Sequence, residues 1–326
     1  MEKKRNDKID NIKFLLIFCV VFGHLLELYP DSNPAMLLYR IIYSFHMPAF
    51  LFVSGYFARQ GRTKLIRQML VLYVVFQTLY LLFQHAIAED GSELALQYTT
   101  PNWVLWYLVL LVYYYLLLPL LETDKPKTMG IIAAGAFVLA VLVGFDSSVS
   151  YFMALSRFFV FLPFFLLGLY ASKLAGTEKG TALLSRRRLW TVLCGAGALL
   201  GAAYIRWAQV PINALYGTCG YEVNGTTPLM RVIWFAVALC WIGLLFCLVP
   251  GRKIPGVTVI GRNTLPVFLL HGFLVKGIVF RYLGTFPSFQ YTGLETLVLT
   301  AVLALAILLL LGNPVADKAF KKVFLW

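Results

Sequence analysis

About ten stretches of roughly 20 largely apolar residues follow one another along this 326-residue chain, and no other feature limits its fold as much. In hydrocarbon the backbone polar groups must be satisfied within the segment, so each stretch reads as a helix rising about 1.5 Å per residue. The stretches fall at roughly 11–29, 35–58, 66–88, 103–121, 128–145, 151–172, 189–207, 229–249, 262–282 and 293–312. Composition agrees, with 60% hydrophobic and 13% charged residues where soluble chains hold about half and a quarter. Mean hydropathy is +0.78. The longest loop, residues 208–228, is too short to bury a core of its own. The expected fold is therefore an all-α polytopic transmembrane helical bundle, one membrane-embedded domain over residues 1–326.

The net charge of +13 does not point to nucleic acid, because the cations fall in short loops rather than along one soluble face. Lys3, Lys4, Arg5, Lys8 and Lys13 precede or open the first stretch, and Arg59, Arg62, Lys64 and Arg67 follow the second. Lys125 and Lys127 follow the fourth; Lys173, Lys179, Arg186, Arg187 and Arg188 follow the sixth; Arg252, Lys253 and Arg262 follow the eighth. The alternate loops hold no Lys or Arg except Arg281 at an edge. This alternation puts the even-numbered loops and both termini in the cytoplasm. The first apolar run carries the chain's most suggestive residues, so it reads as a span and not as a cleaved leader. Four of the five cysteines lie in apolar stretches and Cys219 in a loop, so neither a disulfide framework nor a metal site is expected.

Ionisable groups inside apolar spans are costly and are functional candidates by default. His24 and Glu27 are three residues apart, so on a helix they share a face. A carboxylate beside an imidazole fixes its tautomer and stabilises the imidazolium, as a general base for a hydroxyl requires; a buried pair fastening two helices is the alternative. His46 stands two residues before Pro48, whose missing donor kinks a span, so it reads either as a substrate contact or as a histidine bonded to a backbone carbonyl. His271 follows Asn263 and Pro266 in the ninth stretch. Arg157 and Arg231 lie within spans where topology does not ask for a cation, and suit an anionic acceptor or a carboxylate partner. Trp106 belongs to an interfacial aromatic cluster that could also line an acceptor site. Arg59, Arg62, Lys64 and Arg67 mark topology singly and suit a phosphate-rich ligand as a group. Serine-hydrolase, P-loop and dinucleotide fingerprints are absent.

Taken together, these residues resemble the acyltransferase 3 family of integral membrane acyltransferases, and within it the fucose 4-O-acetylase-like members. The resemblance runs through Asp7, Asp10 and Lys13, with ten residues separating Lys13 from His24. It continues through Phe45-His46-Met47-Pro48, Phe52-Val53-Ser54-Gly55-Tyr56, the pair Lys64 and Arg67, Trp106-Tyr107-Leu108 and the stretch from Gly261 to His271. Lys13 stands where the family often has arginine, and the proline that often follows the basic pair is missing, with Val71 near its place.

What the resemblance implies is transfer of an acetyl or other short acyl group from cytoplasmic acetyl-CoA, or another acyl-CoA, to a hydroxyl of an envelope glycan or similar acceptor. His24 would be the catalytic residue, as base or as transient acyl carrier, and Lys13, Lys64 and Arg67 would face the donor. Arg59, Arg62, Ser54, Asn263 and His271 are placed on the donor side with them, and His46, Trp106, Arg157 and Arg231 on the acceptor side. Glu27 as partner of His24 comes from the residues alone. The setting implied is a bacterial plasma membrane, with the lipid bilayer as the chain's partner and with neither metal nor nucleic acid. A transporter or exporter of a small polar solute or glycan precursor, using kinked spans two and nine, is the other reading.

Overall fold

The structure is a computed structural model that describes residues 6–29, 33–87, 94–281 and 293–325. Every regular element among them is a helix. In order they are α1 (Asp7–Leu26), α2 (Asn33–Phe57), α3 (Thr63–Ile87), α4 (Trp106–Leu121), α5 (Pro126–Leu142), α6 (Leu155–Leu174), α7 (Glu178–Ser185), α8 (Arg187–Trp207), α9 (Ile212–Tyr216) and α10 (Tyr221–Asn224). They continue with α11 (Pro228–Leu248), α12 (Val257–Arg262), α13 (Thr264–Leu274), which runs on into a π turn Val275–Phe280, α14 (Leu294–Gly312) and α15 (Pro314–Phe324). Among the described residues eight helices are long and apolar enough to cross a membrane, and Trp106–Leu121 and Thr264–Phe280 are shorter apolar helices. The protein is an all-α, multi-pass membrane protein. Each of the ten stretches read from the sequence is occupied by one of these helices. Residues 1–5, with Lys3, Lys4 and Arg5, and residues 30–32, 88–93, 282–292 and 326 lie outside the described residues.

Contacts divide the chain into two units. The first holds Met1–His46, Ala86–Asp90 and Leu248–Trp326. Its frame is the docking of α1 on α12. Asn6 caps α1, its side chain accepting from the Lys8 and Ile9 amides at 3.1 and 3.4 Å, and Asp7 and Asp10 sit in the first turn where the helix dipole favours anions. Sequence placed the start near residue 11; the polar turn before it is helical because its side chains are used in docking. Asn11, 2% exposed, donates to the carbonyls of Pro250 and Arg252 at 3.0 Å each and accepts from the Thr258 hydroxyl at 2.7 Å. Arg262 forks onto Asp10 at 3.1 Å and Asp7 at 2.7 Å. Gly261 makes this approach possible, since a Cβ there would lie 1.8 Å from the Asp10 carbonyl oxygen.

The second unit holds Met47–His85 and Gly91–Cys247. Within it the end of α2 and α6 cross at backbone contact. A Cβ on Gly55 would lie 1.9 Å from the Phe165 carbonyl oxygen, and one on Gly168 would lie 1.9 Å from that of Phe52. Small residues let membrane helices approach in this way. Aromatic rings fill the interior: Phe164 stacks on Phe235 at 4.9 Å, and Trp234 meets Phe161 and Phe164 at 5.9 Å.

Candidate active site

The ionisable cluster of the first unit is built at the end of α1. His24 occupies the last helical turn, 9% exposed, and Glu27 is the C-cap. Their spacing of three sets carboxylate against imidazole, with His24 Nδ1 3.0 Å from Glu27 Oε1. Tyr39 and Tyr43, one turn apart on α2, each donate a hydroxyl to the same oxygen at 3.3 Å. The Tyr43 hydroxyl also lies 3.1 Å from His24 Nδ1. The two tyrosine rings stack at 4.0 Å, and Tyr43 presents an edge contact to His46 at 4.7 Å. From α13, the His271 ring stacks on that of His24 with centroids 5.4 Å apart and 28° between planes. Lys276, in the π turn, interacts electrostatically with Glu27. Single π turns inside helices are frequent at functional sites.

Both neighbouring histidines are committed in the same way. His46 Nδ1 donates to the Ile42 carbonyl and His271 Nδ1 to the Val267 carbonyl, at 2.8 Å each. A carbonyl can only accept, so Nδ1 carries hydrogen in both rings and Nε2 is the acceptor position of the neutral ring. The acceptor carbonyl of His46, that of Ile42, lies one turn back in its own helix, whereas the carbonyl that Pro48 leaves without its helical donor is that of Ser44. Chemically, the cluster is an imidazole whose Nδ1 faces a carboxylate, held among two tyrosines and two further imidazoles. Such a set can take a proton from a hydroxyl at Nε2 and hold the resulting imidazolium.

The cations expected to bind donor phosphates are at the start of α3 and just before it. Arg59, Arg62, Lys64 and Arg67 are all exposed, and none forms an ion pair with a described residue. Arg59 donates to the Ala58 carbonyl at 2.6 Å. Ser54 and the Tyr107 hydroxyl share a 2.7 Å hydrogen bond in the second unit. In the first unit, Lys13 pairs with Asp10 at 2.9 Å and Asn263 donates to the Gly312 carbonyl at 3.1 Å.

The acyltransferase 3 family model, described as an acyltransferase domain, matches residues 6–312. The chain belongs to that family. Comparisons with curated proteins and with solved structures returned no match. The match spans nearly the whole chain, so this acyltransferase 3 family protein is a membrane acyltransferase.

Other residues singled out in the sequence of this family member take part in packing in the second unit. Arg157 lies 4.5 Å over the Trp106 ring and donates to the Tyr216 carbonyl at 3.0 Å, while Trp106 stacks on Phe161 at 5.2 Å. Arg231, 6% exposed, donates to the Ala140 carbonyl at 3.0 Å and lies 4.5 Å over the Tyr221 ring. The carboxylate of Asp146 accepts from the Ser148 amide and hydroxyl. Sequence reasoning passed over Tyr39, Tyr43 and Lys276. The first two stand with His46 at i, i+4 and i+7 on one face of α2, and the third is a cation inside an apolar stretch, so both signals were present.

Proposed function

We propose that the protein moves an acetyl or other short acyl group from acyl-CoA to a hydroxyl of an envelope glycan or similar acceptor, in a bacterial plasma membrane with both termini cytoplasmic. The observation that carries this reading is His24, a nearly buried imidazole in an acyltransferase chain, with Nδ1 set against Glu27 and Tyr43. His24 Nε2 takes the acceptor's hydroxyl proton as the oxygen attacks the thioester carbonyl. The C–S bond then breaks, and the proton on Nε2 passes to the departing thiolate, giving CoA and an ester. Glu27 holds the imidazolium while it exists. Arg59, Arg62, Lys64 and Arg67 bind the donor's phosphates, where exposed cations with no carboxylate partner among the described residues serve a polyanion best. Ser54, Lys13, Asn263 and His271 are assigned to the donor and His46, Trp106, Arg157 and Arg231 to the acceptor. The positions of Arg157, Arg231 and Asn263 support an indirect role, through the loops and helix ends they bond.

His24→Gln in purified protein tests the reading. Loss of CoA release from acetyl-CoA, with acetyl-CoA still raising the melting temperature, is the expected result. Full turnover in this variant overturns the role of His24. A wild type that neither binds nor consumes acyl-CoA turns the search to solute transport.

A further inference from the structure

Resting on that reading of His24, we infer that Tyr43, assisted by Tyr39, is a positioning residue that locks the His24 tautomer through the Glu27 carboxylate.

The argument begins with a single oxygen. Glu27 Oε1 has His24 Nδ1 at 3.0 Å and the hydroxyls of Tyr39 and Tyr43 at 3.3 Å. An ionised carboxylate oxygen accepts several donors, and three groups converging on one oxygen are consistent only if each brings a hydrogen. Nδ1 of His24 therefore carries its hydrogen, and Nε2 is left with the lone pair. The opposite tautomer would set the Nδ1 lone pair against the carboxylate at 3.0 Å, which is repulsive.

Position makes these donors necessary. Glu27 caps the C-terminal end of α1, where the exposed carbonyls and the helix dipole disfavour an anion. Its i,i+3 link to His24 comes from the same helix and leaves the carboxylate's rotation unrestrained from outside. Restraint comes from α2. Tyr43 bridges Nδ1 and Oε1 at once, its ring held between Tyr39 and His46. The ionisable groups facing His24 and Glu27 in this unit are Tyr39, Tyr43, His46, His271 and Lys276. The Tyr43 hydroxyl reaches both groups, 3.1 Å from Nδ1 and 3.3 Å from Oε1.

The chain has four histidines, so ¹⁵N-histidine labelling in lipid nanodiscs resolves the His24 ring once His24→Gln identifies its signals. Wild type is expected to show hydrogen on Nδ1. In Tyr43→Phe, which keeps the stacked ring, the signals should move to a mixture of tautomers. Turnover should fall by about 10- to 100-fold, the scale of one charge-assisted hydrogen bond, with KM for donor and acceptor unchanged. Glu27→Leu supplies a second variant: with no acceptor left beside Nδ1, the ring should relax to a mixture of tautomers with a larger loss of turnover. The inference is overturned by hydrogen on Nε2 in wild type. It is equally overturned if Tyr43→Phe leaves tautomer and kcat unchanged, or raises KM alone. Should Tyr43→Phe not fold, the Glu27→Leu spectrum decides, and an unchanged tautomer there refutes the lock. Activity in His24→Gln would sink the acyl-transfer role of His24 whichever tautomer is seen, which keeps the two failures apart.

Discussion

Replacing Gly261 by alanine should loosen the first unit at its narrowest point. The new Cβ would lie 1.8 Å from the Asp10 carbonyl oxygen and 3.2 Å from the Phe14 amide nitrogen, whereas ordinary contact begins near 3.4 Å. Backbone cannot rotate aside as a side chain does, so α12 must withdraw from α1 by about 1.6 Å. The 2.7 Å bond from Thr258 to Asn11 has no slack for that movement. Overpacking of this kind costs about 1–3 kcal/mol. Leaving the buried Asn11 amide short of partners adds about 1–3 kcal/mol. Together the destabilisation is about 2–6 kcal/mol. For a chain of 326 residues, this corresponds to a fall in melting temperature of about 3–9 °C. Tryptophan fluorescence during heating in detergent reads the shift directly. Gly130→Ala is the control, because a Cβ at that point of α5 meets nothing within 4 Å. It should leave stability unchanged or raise it by up to about 1 kcal/mol. If Gly261→Ala melts no lower than Gly130→Ala, α1 and α12 are not in backbone contact and the reasoning fails.

Two further outcomes follow from the surface groups. Exchanging Arg62 and Arg67 together for glutamate should weaken acetyl-CoA binding at least about tenfold, measured by thermal shift, with the unliganded melting temperature little changed; unaltered affinity would remove the cluster from the donor site. Hydrogen bonds from the Ser148 side chain and amide hold the Asp146 carboxyl below its ordinary value of 3.8. A depressed folded-state value contributes stability above the unfolded value and loses it as pH falls through the folded one. Ser148→Ala should therefore melt slightly lower than wild type at neutral pH, the difference vanishing on acidification through the carboxylate range. A difference that persists in acid would assign the effect to something other than Asp146.

Much of this fold is visible in the chain because each apolar stretch must satisfy its own backbone, and hydropathy reports that requirement directly. Ends are less visible. Hydropathy starts the first helix near residue 11, but Asn6 caps it and Asp7, Asp10 and Asn11 are helical residues turned to docking, which no apolar window detects. The ninth stretch reads as one span over residues 262–282, yet it breaks at Asn263 and loosens into a π turn after Leu274. Of the site, the pair His24 and Glu27 was legible because local spacing alone makes the contact. Tyr39 and Tyr43 carry a signal in their helical spacing with His46, but tyrosine in a membrane chain reads first as an interfacial residue. The stacking of His271 on His24 joins residues far apart in the chain, a contact that helical periodicity does not encode.

The bond from Arg262 to Asp10 spans 252 positions along the chain. A ribosome adding about 5–20 residues per second needs about 13–50 s to cover that distance. Over that interval α1 waits in the membrane with Asp7, Asp10 and Asn11 facing no α12, and His24 waits for His271. The docking of α1 is therefore completed only after α12 has been made. A chain that stops short of α12 retains His24, His46 and His85 and most of its apolar spans but lacks the partner on which α1 docks, and such products are suitable targets for membrane quality control.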